Sequence, residues 1–196
     1  MIRYVLYPFG GYAVYLLFGM AKTYYSHFNP WAEIFEKNRA RVMTSVLWIL
    51  AFVSGLAYLR YLYSMEFLIL YYFAPYLVFT AWSSIVTHSH HNHFDVPWYR
   101  GEEWSYMKGA LSTIDRVYGI FEPIHHNIGT HMVHHLFMKI PHYNLCDATE
   151  YIKPVLGEYY RKSEVSLIDN LKDMYEFCRY VPNTGSRVYF SPLKSK

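Results

Sequence analysis

Charge is absent from two long stretches of the chain, Val42 to Leu59 and Phe67 to Thr87. At a helical rise of 1.5 Å per residue the first covers about 27 Å, close to the thickness of a bilayer's hydrocarbon core, and the second somewhat more. The pattern predicts two membrane-spanning helices, with Pro75 kinking the second. Only Arg60-Tyr61-Leu62-Tyr63-Ser64-Met65-Glu66 separates them, so they form a tight hairpin. A third uncharged run, Tyr4 to Ala21, lies between Arg3 and Lys22. Pro8, Gly10, Gly11 and Gly19 interrupt it and no small-x-small cleavage site follows, which argues against a signal peptide. It reads as a spanning helix or as a broken helix lying in the interface.

Between the first run and the hairpin, Asn29 and Pro30 carry the chemistry of a helix start, as N-cap and first helical residue. Trp31 to Arg41 then mixes aromatic and charged residues, as an interfacial helix does. After residue 88 the chain turns polar. Asp147 to Tyr160 predicts one or two short helices interrupted at Pro154 and Gly157. Glu164 to Val181 is amphipathic, with Leu167, Leu171, Met174, Tyr175 and Cys178 on one stripe that serves as a packing face. Residues 182–196 read as loop. The fold class expected is an all-α integral membrane protein, a transmembrane helical hairpin with a cytosolic, histidine-bearing helical cap. One partial domain would span 1–196: an interfacial or membrane segment at 1–41, the hairpin at 42–87 and the cap at 88–196.

Lys and Arg set the orientation. Lys37, Arg39 and Arg41 precede the hairpin, Arg100, Lys108 and Arg116 follow it, and the connection carries Arg60 alone. Both hairpin ends therefore face the cytosol. A net charge of +3, with aromatics in apolar runs instead of interleaved with cations, excludes nucleic acid as a partner. Cys146 and Cys178 stand 32 positions apart without a CxxC partner, giving neither a zinc ribbon nor a disulfide framework.

Ten of the eleven histidines fall between His88 and His142, and random composition does not readily cluster them so. His131, His134 and His135 stand at i, i+3 and i+4, one face of a helix, and imidazole is the commonest metal-ligating side chain. Thr87-His88-Ser89-His90-His91-Asn92-His93 follows the second apolar run. On a continuing helix His88 and His91 share one face while His90 and His93 share another, so the four cannot address one site. His125-His126-Asn127 precedes the triplet. His126 and His131 are five apart, about 140° on a continuous helix, and Gly129 can kink the backbone to bring His126 round. Asp115 and Glu122 are nearby carboxylates able to accept from metal-bound imidazoles, though a surface role suits them better. An all-imidazole set suits zinc, copper, iron or nickel, and the HExxH glutamate of zinc hydrolases is absent. His27 stands alone and reads as structural.

The chain closely resembles the membrane fatty-acyl desaturases of the methyl-end (Δ12 and ω-3) group. The resemblance is carried by Ser26-His27-Phe28-Asn29-Pro30, Pro97-Trp98-Tyr99-Arg100-Gly101, Glu103-Trp104-Ser105-Tyr106, Asp115-Arg116-Val117-Tyr118-Gly119 and His125-His126-Asn127-Ile128-Gly129-Thr130-His131. It continues through His134-His135-Leu136-Phe137, Ile140-Pro141-His142-Tyr143 and Lys153-Pro154-Val155-Leu156-Gly157. His131-x-x-His134-His135 looks like the family's third histidine box, and its leading histidine points to the methyl-end type. The resemblance implies a non-haem di-iron centre that uses O₂ to introduce a cis double bond into an acyl chain of a membrane lipid or acyl substrate. Cytochrome b5 or ferredoxin would deliver the electrons, and the expected location is a membrane of the endoplasmic reticulum or, second, the plastid.

The ligands it implies are His131, His134, His135, His91 and His126. His90, His93, Asn127, His125 and Asp115 are less certain companions, and no separate catalytic side chain is assigned. The family also has two earlier boxes, HxxxH and HxxHH, whereas this chain has only His27 before residue 88. The expectation is thus a C-terminal portion of a desaturase. A hydroxylase or acetylenase on the same scaffold, or a silent truncated protein that binds metal or pairs with a full-length desaturase, stays open.

Overall fold

A computed structural model describes residues 2–19 and 25–191. It is mostly helical and divides into two compact units, residues 1–85 and 86–196.

In the first unit a helix runs over Ile2–Phe18. Pro8, Gly10 and Gly11 lie inside it without ending it, and residues 20–24, where the uncharged run finishes, are outside the described residues. At the expected helix start, the Asn29 side chain accepts the Trp31 amide at 3.1 Å and closes a local turn. Helix begins only at Glu33, as a 3₁₀ turn over Glu33–Asn38 that passes into the α-helix Arg39–Leu62. The predicted interfacial segment and first span are therefore one continuous helical element. His27 is packed among Tyr15, Tyr25 and Phe35, with its backbone N–H on the Leu16 carbonyl at 2.9 Å.

Only Tyr63 and Ser64 separate this helix from the next, and the Ser64 hydroxyl caps it by accepting the Phe67 amide. The second apolar helix, Met65–His91, contains a π-helical turn at Ile69–Phe73, directly before Pro75. A proline donates no N–H to the helix, and the widened turn accommodates that loss without a break. Phe52 and Tyr72 bring the two helices together, ring centroids 5.5 Å apart. Both helices are long and apolar enough to cross a membrane. Their large side chains face outward, Trp48 at 73% and Tyr61 at 84% exposure. So much outward-facing apolar surface is uncommon on a soluble domain.

The second unit carries four two-residue strands among short helices. β1 (Trp98–Tyr99) pairs antiparallel with β4 (Arg187–Val188), and β2 (Asp115–Arg116) pairs parallel with β3 (Lys162–Ser163). Residues 187–188, read from sequence as loop, are strand. Leu145–Leu156 is helical through Pro154 and stops at Gly157, whose positive φ of 51° suits a glycine. The amphipathic stretch forms the helix Leu167–Phe177, capped by the Ser166 hydroxyl on the Asp169 amide. Met132, Val133, Val96, Ile114 and Leu145 supply the unit's apolar core.

Candidate metal centre

His131–Leu136 is a helix of six residues, too short to persist alone in water, so tertiary contacts must hold it. Met132 and Val133, both 0% exposed, fix its inner face. Asp115 Oδ1 accepts the Met132 amide at 2.8 Å and satisfies an N–H of the first turn that has no partner within the helix. On the 3.6-residue period His131, His134 and His135 then emerge side by side.

His91 comes from the last turn of the Met65–His91 helix. Its Nδ1 lies 3.4 Å from the Ser112 carbonyl. A carbonyl can only accept, so this contact puts the proton on Nδ1 and leaves the Nε2 lone pair free. That Nε2 is 3.2 Å from His131 Nε2, which is in turn 3.0 Å from His135 Nε2. All three ligand atoms lie within 4.8 Å of one another. Nitrogens bound about 2.1 Å from one metal ion at angles near 90–110° stand roughly 3.0–3.4 Å apart, so the spacings from His131 to His91 and to His135 are those of ligands to a shared ion. A single proton on His131 Nε2 could serve only one of its two neighbours, whereas a cation attracts all three lone pairs.

His90 is occupied otherwise. Its Nδ1 lies 2.6 Å from the Ile114 carbonyl and its Nε2 3.0 Å from the Tyr118 hydroxyl. Its ring stacks on His131 at 4.1 Å and 17° and holds that imidazole in place. His131 Nδ1 has no hydrogen-bond partner among the described residues, so stacking and the neighbouring imidazoles hold this ring. His134 projects beside the triad, its ring 5.5 Å from that of His131. His93 lies past the helix end, stacked on Phe94, with Nδ1 accepting the Asp95 amide.

His126 and Asn127 have left-handed backbone, φ 53° and 58°, and the His126 ring faces His142 at 4.5 Å, not the triad. Asn127 Nδ2 donates to the His142 carbonyl. His125 packs edge-on against Tyr118. The two carboxylates have other partners: Asp115 Oδ2 accepts from the Tyr160 hydroxyl, and Glu122 accepts the Tyr118 amide. Tyr118 and Tyr160 are the supporting residues that sequence reasoning passed over. Tyr118 was visible within the Asp115-to-Gly119 motif, while Tyr160 carried no signal.

Burial favours the neutral form of the His131 and His135 imidazoles. The pKa of His131 is driven well below its ordinary value, first by burial and then by the surrounding histidines. That of His135 falls to about 4 by burial and by His91 and His134. Below about pH 6.5 the unfolded chain takes up protons that these folded imidazoles refuse, so stability falls as pH drops from about 6.5 toward about 4. Thermal unfolding of the metal-free protein in detergent is expected to show a falling midpoint across that window. In His135→Gln the fall should be shallower; an equal slope in both proteins would contradict this origin.

A family model described as fatty acid desaturase matches residues 1–164. The sn-1 acyl-lipid omega-3 desaturase (ferredoxin) of Synechocystis is 46% identical over 191 residues, covering 97% of this chain and 53% of the relative. The acyl-lipid omega-3 desaturase (cytochrome b5), endoplasmic reticulum, of Arabidopsis thaliana is 41% identical, covering 97% and 52%. A chloroplastic omega-3 fatty acid desaturase of Glycine max is 40% identical, covering 97% and 44%. The chain spans about half the length of the curated relatives it matches.

Proposed function

The chain belongs to the fatty acid desaturase family, and from that premise we propose that it is the metal-binding C-terminal part of a methyl-end, ω-3 type acyl desaturase. The observation that carries the reading is that His131 Nε2 stands at metal-ligand spacing from both His91 Nε2 and His135 Nε2, with all three nitrogens gathered at one place. These three would hold a non-haem iron. By the family likeness His134 and His126 would serve as further ligands, and the family's two earlier histidine boxes would complete the centre. When bound, such a centre supplies the oxidising power of O₂ that cleaves an unactivated C–H bond, which no side chain can do. The chain's residues hold the imidazoles neutral and oriented, through burial, the Ser112 carbonyl and the stacked His90 ring.

Overall, –CH₂–CH₂– plus O₂, two electrons and two protons gives –CH=CH– and two waters. Two electrons must come from outside, and a separate carrier, ferredoxin or cytochrome b5 as in the relatives' names, delivers them. The helices Glu33–Leu62 and Met65–His91 form a membrane hairpin. Arg116 is buried and drops out of the charge count; Lys37, Arg39, Arg41, Arg100 and Lys108 still outnumber Arg60, which supports a cytosolic side for the histidines. The membrane is that of the endoplasmic reticulum, with the plastid as the second compartment the relatives' names carry.

The test is a chimera. Residues 1–196 fused behind the N-terminal half of the Synechocystis relative are expressed in a host fed a polyunsaturated acyl chain without an ω-3 double bond. The expected product, read by gas chromatography, gains one cis bond three carbons from the methyl end. Hydroxylated product would reassign the chemistry, and a well-expressed, iron-loaded chimera with unchanged lipids would overturn the proposal in favour of a silent metal-binding protein.

A further inference from the structure

Two consecutive buried residues, Asp115 and Arg116, each grip the backbone of a different histidine-bearing helix. Asp115 is 2% exposed, and its carboxylate takes the Met132 amide at 2.8 Å and the Tyr160 hydroxyl at 3.0 Å. Arg116 is 5% exposed and its Nε donates to the Ser89 carbonyl, two residues before His91. Burying charge is costly unless it is hydrogen-bonded. Among the described residues the two do not neutralise each other in an ion pair. Asp115 accepts from a main-chain amide and a tyrosine hydroxyl, and Arg116 gives its Nε to a main-chain carbonyl while its two terminal nitrogens have no hydrogen-bond partner among the described residues.

The stretch carrying them is itself fixed on three sides. The Ile114 amide donates to the His90 carbonyl, the Arg116 amide to the Gly129 carbonyl and the Asp115 amide to the Arg161 carbonyl. One short strand is therefore tied at once to residues 89–90, to residues 129–132 and to β3. A slip of one residue in either helix would move its histidines by 1.5 Å along the axis and turn them by about 100°. A shared metal ion tolerates only about 0.2 Å.

We infer that Asp115 and Arg116 are positioning residues, a bracket that sets the separation between His91 on one helix and His131 with His135 on the other. The inference rests on the metal-centre reading above. Asp115 acts through the Met132 amide, not through an imidazole, and Arg116 acts through the Ser89 carbonyl.

The experiment uses the full chain in detergent, with Co²⁺ as the probe. Affinity and ligand field are read from its visible absorption, and amide hydrogen exchange is followed across residues 131–136. Asp115→Ala is expected to weaken Co²⁺ binding tenfold to a hundredfold, alter the band shape and speed exchange at 131–136 at least tenfold. Asp115→Asn keeps an acceptor for the Met132 amide and should stay within about threefold of wild type on both measures. Arg116→Met is expected to weaken Co²⁺ binding about tenfold. A helical Asp115→Ala protein with wild-type exchange and wild-type Co²⁺ binding overturns the bracket. Should that variant not fold, Tyr160→Phe and Arg116→Met decide, and wild-type behaviour in both overturns it. If the wild-type chain binds no Co²⁺, the metal reading fails by itself, and the exchange comparison still judges the bracket.

Discussion

His131→Ala is expected to abolish metal binding at the triad, with Co²⁺ affinity reduced at least a hundredfold, about 2.7 kcal/mol. His131 Nε2 is the shared vertex, 3.2 Å from one partner nitrogen and 3.0 Å from the other. Removing it leaves His91 and His135 as two ligands without their common neighbour. The loss also strips His90 of the ring stacked on it, although His90 keeps its bonds to Ile114 and Tyr118. His126→Ala is the informative contrast, because its ring faces His142. It should change affinity at the triad by less than about threefold, well under 1 kcal/mol. Equal losses in the two variants would show that His126 swings into the triad's ligand set and that the three-nitrogen geometry is incomplete. Titration followed by the visible bands of bound Co²⁺ separates the cases.

Gly129→Ala is expected to be the most damaging single methyl group in the second unit. A Cβ there would stand 2.4 Å from the Arg116 carbonyl oxygen and 2.6 Å from Glu122 Oε1. The first obstacle is backbone, already tied to Gly129 through the bond from the Arg116 amide to the Gly129 carbonyl. The second is a carboxylate committed to the Tyr118 amide. Neither can retreat without breaking a contact that supports the histidines. Overpacking of this kind costs about 3 kcal/mol, roughly a 10 °C fall in the unfolding midpoint for a unit of this size. Adding Glu122→Ala should recover only part of the loss, since the carbonyl clash remains. Full recovery in the double variant would mean that the carboxylate alone makes the site tight.

What could be read from the sequence was local. Helical periodicity puts His131, His134 and His135 on one face whatever lies around them. Uncharged length marks the two apolar helices, which the structure extends to Glu33–Leu62 and Met65–His91. The division of labour between adjacent His90 and His91 was not readable in that way. It depends on the Tyr118 hydroxyl and the Ile114 carbonyl, 28 and 24 positions away. A kink at Gly129 is the route the sequence offers for His126 to reach His131. The backbone instead turns left-handed at His126 and Asn127 themselves. Two-residue strands have no alternation to detect, so β2, which carries both Asp115 and Arg116, was invisible as an element.

The parallel pairing of β2 with β3 also has a consequence for the order of events during synthesis. Tyr160 and β3 follow His131 by 29 to 32 positions. At roughly 5–20 residues per second a ribosome needs about 2–6 s to add that stretch. Until then the triplet and Asp115 have been made but the strand that pins Asp115 has not, and three imidazoles sit on a segment too short to hold a helix by itself. A nascent chain at this stage would capture metal poorly and in the wrong geometry. Loading of the correct ion is thereby deferred until the polypeptide beyond Ser163 has emerged.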